Sequence, residues 1–443
     1  MIDIVLTAEH ASLLRSLSGG AEETCAVFFA SEARARGERV RLLVREMWTP
    51  EETDYTRRGA LEAELTPAFV SRAAKHAKRE HLSLVFAHSH PGSTPPSFSG
   101  VDDDGERRLA AFLAHRLPEQ SAHGALVVSS GGLSARALGS ATPARVVSVG
   151  SVMEVVFDHG EVAQADERHD RQIRAFGRAG QAKIQGVSVA IVGLGGTGSL
   201  VAQQLAHLGV RDFILVDPDV VESSNLNRLA NAGPADVGAP KVSVAEQYLR
   251  RVSPDATVES VQGDIIRAAV AHRLTAADVI FGCTDSHGSR AVLQQIAYQY
   301  LIPTIDMGTT IAVRESRITH VYGRVQLLAP GLACFTCGRL LDGNQVRRDM
   351  MTAFERKADP YISGAHEPAP SVISLNGTVA SLAVTMFLSV VAGVPGAGRH
   401  LLYNALASSV RSVRGAPEPR CFVCSSVGAL GRGDSWPLNA RQD

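Results

Sequence analysis

His88 and His90 stand two residues apart at the end of an apolar run, Leu82 to Ala87, so on an extended backbone both imidazoles point to one face. Asp102 follows twelve residues after His90, across a loop rich in Gly, Pro and Ser. It would complete a two-histidine, one-carboxylate zinc set whose fourth position is left to water. Such an open site is catalytic in design, because zinc lowers the pKa of its water toward about 7 and polarises a carbonyl. Asp103 and Asp104 compete with Asp102 for the carboxylate position. An HxH pair alone is a common accident of strands, so the case rests on the longer string around it.

A second set lies further along. Gly193-Leu194-Gly195-Gly196-Thr197-Gly198-Ser199 separates an apolar run from a helical pattern. There the glycines let the backbone approach phosphates and the helix N-terminus supplies N–H donors. Asp217 ends the next apolar run, 24 residues after Gly193, in position for ribose hydroxyls. So far NAD and ATP fit equally well. Asp219, Asn225, Arg228 and Lys241 come next, and a dehydrogenase has no need of them. Arg228 and Lys241 can neutralise charge developing on a leaving pyrophosphate. Asp285, within Cys283-Thr284-Asp285-Ser286, is a carboxylate for Mg²⁺ at the C-terminal end of a further strand. Each residue alone reads as a solvated charge or a turn; their order points to ATP.

Four of the six cysteines form two CxxC pairs, Cys334/Cys337 and Cys421/Cys424, with 83 residues between them. Together they can close a tetrahedral, structural Cys₄ zinc site.

These residues need scaffolds. Short apolar runs at Cys25-Phe29, Val40-Val44, Leu82-Ala87 and Ala125-Ser129, separated by helical stretches Pro67-Glu80 and Asp103-His115, predict an α+β domain over 1–148. A polar linker is expected at 149–165. From 166 to 443 the order strand (Val187-Val192), glycine turn, helix (Ser199-Leu208), strand (Phe213-Asp217) opens a doubly wound, Rossmann-like domain, so the whole chain is α/β. Further strands are expected at Thr257-Val261, Val279-Phe281 and Thr304-Met307.

The formal net charge of −1 predicts no global attraction to nucleic acid or anionic membrane. The opening residues lack a signal-peptide pattern, and no uncharged apolar run reaches the roughly 20 residues of a membrane span. Val379 to Val394 comes nearest and reads as a buried helix. The expectation is a cytoplasmic protein, where cysteines serve as core, metal or catalytic residues rather than disulfides.

His88-Ser89-His90-Pro91 followed by Ser99-Gly100-Val101-Asp102 resembles the signature of JAMM (JAB/MPN) metalloproteases, which cleave peptide or isopeptide bonds after ubiquitin-like tails. The resemblance implies a JAB/MPN-like first domain with His88, His90 and Asp102 as zinc ligands and Ser99 as an oxyanion donor. It also implies an upstream general base, for which Glu23 at the head of Cys25-Phe29 fits, with Glu22 as its rival. Arg168-His169-Asp170-Arg171-Gln172-Ile173, the glycine loop, Asp217-Pro218-Asp219, Ser224 to Arg228, Lys241 and Cys283-Thr284-Asp285 resemble the ThiF/MoeB/ubiquitin-activating adenylyltransferases, over about Asp166 to Cys424. That family joins the C-terminal Gly-Gly carboxylate of a ubiquitin-fold protein to the α-phosphorus of Mg-ATP. By resemblance, Asp217 is the ribose ligand; Asn225, Arg228 and Lys241 contact phosphates; Asp285 holds magnesium. Arg171 then reaches a neighbouring subunit's site, which implies a homodimer, and the two CxxC pairs match the family's structural zinc. Members that form a thioester carry a cysteine near what is here Asp342 to Pro370. None lies there, so the expectation is adenylation without a stable thioester. Two other readings stay open: sulfur-carrier activation through a thiocarboxylate, and a binding scaffold with one inactive half.

Overall fold

The run Cys25-Phe29 is apolar throughout because the strand it opens has a core on each face. Ala26, Phe28 and Ala30 pack to one side, Val27 and Phe29 to the other. The computed structural model describes residues 2–35, 39–119, 121–157, 167–352, 354–355 and 370–442. It forms two units, one of Met1–Glu161, Gln299–Leu301 and Ala429–Pro437, the other of Val162–Tyr298, Ile302–Gly428 and Leu438–Asp443.

The first unit runs β1 (Ile2–Thr7), α1 (Ala8–Ser16), β2 (Cys25–Arg34), β3 (Val40–Trp48), β4 (Tyr55–Arg58), β5 (Ala63–Leu65), α2 (Pro67–Glu80), β6 (Ser83–Ser89), α3 (Gly100–Ala114), β7 (Gly124–Ser129), β8 (Gly132–Ala137), β9 (Ala144–Val149) and β10 (Met153–Phe157). Its mixed sheet has the order β10-β9-β1-β3-β2-β6-β7-β8. Leu14 of α1 joins the core on one face; Phe69, Ala73 and Ala77 of α2 and Leu113 of α3 join that on the other. Thr66 caps α2 by accepting the N–H of Phe69, and Pro67 at the first helical position has no N–H to leave unpaired.

Two boundaries differ from the sequence expectation. The span 149–165, expected as a linker, supplies β10, which pairs antiparallel with β9; residues 158–166 lie outside the described residues. Ala429–Pro437, expected with the second domain, belongs to the first unit, where Asp434 accepts the backbone N–H of Arg34 at 2.8 Å. Local patterning carries no signal for such a long-range docking.

The second unit contains α4 (Asp170–Gly186), β11 (Ser188–Val192), α5 (Gly196–Leu208), β12 (Asp212–Val216), α6 (Lys241–Val252), β13 (Thr257–Val261), α7 (Ala268–Ala271), β14 (Val279–Gly282), α8 (His287–Gln299), β15 (Thr304–Arg314), β16 (Arg317–Leu328), α9 (Gly343–Asp349), α10 (Ile373–Val391), β17 (His400–Asn404) and β18 (Ser409–Ser412). The sheet order is β13-β12-β11-β14-β15-β16-β17-β18. The first five strands are parallel and the rest antiparallel. Strand order reverses between β11 and β14, and ligands of open α/β sheets bind at such a point. Helix α10 starts six residues before the apolar run seen in the sequence, because Ser374, Asn376 and Thr378 are also helical. At 19 residues it is long and apolar enough to cross a membrane. Val379, Ala383, Phe387 and Val390 are buried within the unit, as a core helix requires.

Candidate functional sites

In the first unit, the pairing of β2 with β6 brings the candidate residues together. Cys25 lies opposite His88, and Thr24 and Ser89 exchange hydrogen bonds of 2.9 Å, so one further step puts Glu23 beside His90. The β4–β5 hairpin, absent from the sequence reading, clamps this corner. Gly59 accepts the N–H of Glu23 at 2.7 Å, Tyr55 Oη accepts that of Cys25 at 2.9 Å, and Arg58 donates to the Glu23 carbonyl and the Thr24 hydroxyl.

His88 Nε2 lies 3.1 Å from His90 Nε2 and 3.2 Å from Asp102 Oδ1. Ligands about 2.0 to 2.1 Å from a tetrahedral zinc stand roughly 3.3 Å apart, so these two separations match the metal, while the third pair, His90 Nε2 and Asp102, comes no closer than 4.0 Å through Oδ2. The other Asp102 oxygen, Oδ2, accepts the Ser99 hydroxyl at 2.7 Å and the Ser99 N–H. Although burial opposes it, the hydrogen bonds from His88 and Ser99 hold the Asp102 carboxyl well below the usual range. Burial, with His88 nearby, lowers His90 and favours the neutral imidazole that binds metal.

The rival residues are engaged elsewhere. Asp103 pairs with Arg136 at 2.8 Å, Asp104 pairs with Arg107, and Glu22 is exposed beside Arg58. Glu23 is buried, 3.7 Å from His90 Nε2, and burial raises its carboxyl pKa. Ser99, expected as an oxyanion donor, has a structural role as well. Its hydroxyl caps α3 in a reciprocal capping box with Asp102, which makes it a support for the candidate metal ligand in this structure.

In the second unit, β11 leads into the glycine loop. Gly193 has φ +88°, and a Cβ there would lie 2.7 Å from the Cys283 carbonyl oxygen; a Cβ on Gly198 would collide with the Gly193 carbonyl. The loop is therefore glycine-rich partly to clear its own backbone. A Cβ on Gly195 meets nothing within 4 Å, which leaves that side of the loop approachable. Asp217 is buried and accepts the N–H of Leu194 at 2.6 Å and that of Asp219 at 2.8 Å, tying β12 to the loop; burial raises its carboxyl pKa.

Lys241, first residue of α6, lies 2.7 Å from Asp219 Oδ2 and 4.0 Å from Asp217 Oδ1, so phosphates would compete with these carboxylates for it. Asn225 is buried within its own turn, accepting the N–H of Glu222 at 3.4 Å. Arg228 donates to the Ser224 carbonyl at 2.8 Å, and its Cδ would stand 3.4 Å from a Cβ on Gly196. Asp285 is exposed just beyond β14, and Arg171 is exposed on the first turn of α4.

The sequence reading missed two groups. Asp306 is fully buried between Arg290 and Arg324, and Arg290 also donates to the Thr284 carbonyl at 2.8 Å, steadying the loop that carries Asp285. Asn376 of α10 faces Gly196. It lies among Ser374, Gly377 and Thr378, ahead of the apolar run, where nothing in the sequence marked it out.

The four cysteine sulfurs gather in the same unit: Cys334 to Cys337 3.6 Å, Cys334 to Cys421 3.5 Å, Cys337 to Cys424 3.5 Å. Zn–S bonds of about 2.3 Å in a tetrahedron put sulfurs about 3.8 Å apart, so this set also fits zinc. Cys283 is different: burial, with Asp306 close by, pushes its thiol pKa well up.

Comparison with known proteins decides the family. The ThiF family model matches residues 169–423, more than half of the chain. The chain belongs to the ThiF family. Molybdopterin-synthase adenylyltransferase of Escherichia coli K12 is 30% identical over 58% of this chain and 95% of that protein. SAMP-activating enzyme E1 of Haloferax volcanii is 28% identical over 59% of this chain and 90% of that protein. The ThiF-family adenylyltransferase domain thus spans the glycine loop, the carboxylates and basic residues around it, and three of the four zinc-fitting cysteines, with Cys424 one residue beyond the match. Among solved structures, E. coli MccB overlays with a TM-score of 0.48 at 19% identity, covering 60% of this chain and 74% of that one. An overlay of that score adds nothing to the family match.

Proposed function

We propose that this ThiF-family protein adenylates the C-terminal carboxylate of a ubiquitin-fold partner ending in Gly-Gly, using Mg-ATP. The observation that carries the proposal is the glycine loop tied by Leu194 to buried Asp217, with Arg228 beside the loop and Lys241 beside Asp217, in a domain of this family. The carboxylate oxygen attacks the α-phosphorus and pyrophosphate leaves. Loop N–H groups and the α5 N-terminus bind phosphate, Arg228 and Lys241 offset charge on the leaving group, Asp217 takes ribose hydroxyls, and Asn225 contacts phosphate. Asp285 would hold the Mg²⁺. Arg171, exposed on α4, completes the site of a second copy in a homodimer. The raised pKa of Cys283 favours adenylation without an enzyme thioester. Of the segment where a thioester cysteine would lie, 353 and 356–369 are outside the described residues.

The first unit is read as a JAMM-type zinc hydrolase of peptide or isopeptide bonds at such tails, on the strength of the His88, His90 and Asp102 geometry. A zinc ion held there would acidify water and polarise the scissile carbonyl. Glu23 is within reach to accept the water proton and return it to the leaving amine. Two active units on one chain would raise the local concentration of the shared tail.

ATP–pyrophosphate exchange with Gly-Gly-ended ubiquitin-fold proteins tests the adenylation reading. Partner-dependent exchange that collapses in Asp285→Ala and Arg171→Ala supports it. Bound ATP without exchange for any partner favours the scaffold reading. Partner thiocarboxylate accumulating with a sulfur donor favours the sulfur-carrier reading.

A further inference from the structure

Helices α5 and α10 lie side by side with the same polarity. Gln204 of α5 donates to the Ser381 hydroxyl of α10 at 3.2 Å, and a Cβ on Gly377 would lie 3.9 Å from Leu200 Cδ1. Both first turns therefore meet at the glycine loop, and Asn376 stands at the meeting point, 2% exposed. A buried amide costs stability unless its hydrogen bonds are made, and these are. Asn376 Oδ1 accepts the Thr309 hydroxyl at 3.0 Å, and Nδ2 donates to the Ser371 hydroxyl at 3.0 Å. The parallel pairing of β14 with β15 ends at Gly282 and Asp306, so Thr309 sits beyond the C-terminal edge of the parallel sheet, where ligands bind.

Neighbouring glycines of the loop face different surroundings. The side of Gly195 is open to 4 Å, whereas a Cβ on Gly196 would overlap Asn376 Nδ2 and lie 3.2 Å from its Cγ. The glycine at 196 is thus required by a protein side chain and not only by a phosphate.

We propose that Asn376 is a positioning residue for the nucleotide: held by Thr309 and Ser371, it backs the loop at Gly196 and keeps the loop N–H groups aimed at the phosphates. This rests on the ATP reading above.

The test is Mg-ATP binding by calorimetry on the full chain, with thermal unfolding to verify folding. Asn376→Ala is expected to bind ATP about tenfold more weakly, and Gly196→Ala about a hundredfold more weakly. Combining Gly196→Ala with Asn376→Ala removes the overlap and should restore affinity to within about threefold of Asn376→Ala alone. A double variant no tighter than Gly196→Ala, or wild-type affinity in Asn376→Ala, overturns the proposal. If Gly196→Ala does not fold, Asn376→Asp decides. It keeps the size and the acceptor for Thr309 but sets a carboxylate behind the loop, so ATP should weaken about tenfold and adenosine less than about twofold. Equal effects on both ligands overturn the positioning role. A folded wild type that binds no ATP removes the adenylation reading first and this inference with it.

Discussion

Asp102 illustrates how one carboxylate can serve two neighbours. Its Oδ1 faces His88 while its Oδ2 is held by Ser99, so the orientation of the candidate metal ligand depends on a helix cap. Groups that orient a ligand typically contribute 10- to 100-fold to metal affinity. Ser99→Ala is therefore expected to weaken zinc binding at this site by about tenfold or more, measured by competition with a chromophoric chelator. A pure oxyanion role would leave affinity unchanged. Glu23 makes the opposite case: it is near the ligands but outside the set. Glu23→Gln should retain zinc at wild-type stoichiometry while hydrolysis of a Gly-Gly-linked fusion falls by roughly 10² to 10⁴. Loss of zinc in this variant would instead make Glu23 a ligand.

At the scale of elements, β6 and β7 start against His123, whose Nδ1 accepts the N–H of Leu84 at 3.1 Å. Burial lowers the His123 pKa to about 4, from an ordinary 6.5. Above pH 6.5 the ring is neutral in both the folded and unfolded states. As pH falls below that, only the unfolded chain takes up the proton, so stability declines until about pH 4. The loss is roughly 3 kcal/mol at most. His123→Asn keeps an acceptor without the titration, and its melting temperature should fall less than that of wild type between pH 7 and pH 5. The Cys₄ cluster supports a different prediction. Cys334→Ser should remove roughly one zinc per chain and lower the melting temperature of the second unit, because binding at a structural site contributes directly to folding.

At the scale of the whole molecule, the proposed dimer is tested by mixing two inactive variants. Arg171→Ala and Asp285→Ala chains, unfolded and refolded together, would form mixed dimers in half of all assemblies. Each mixed dimer would have one site with both residues intact. Exchange activity should then recover to about a quarter of wild type if Arg171 acts across the interface. If it acts within its own chain, mixing restores nothing.

Much of this could be read from local sequence. Strands buried on both faces are continuous apolar runs, such as Val189-Val192. The HxH pair, the glycine loop and the CxxC pairs are short-range spacings that backbone geometry turns directly into shared faces or tight turns. What the sequence determined by itself was therefore which residues could do chemistry and on which elements they ride. Tertiary structure decided which of the rivals stands beside the two histidines. Asp102 rather than Asp103 beside His88, and Glu23 rather than Glu22 beside His90, follow from the pairing of β2 with β6 and from Arg136 of β8, which draws Asp103 away. The same holds for Asn376 behind Gly196 and for Ala429–Pro437 against the first unit, contacts between residues far apart in the chain. Long-range contacts depend on how whole elements pack, and no local periodicity or spacing encodes that packing.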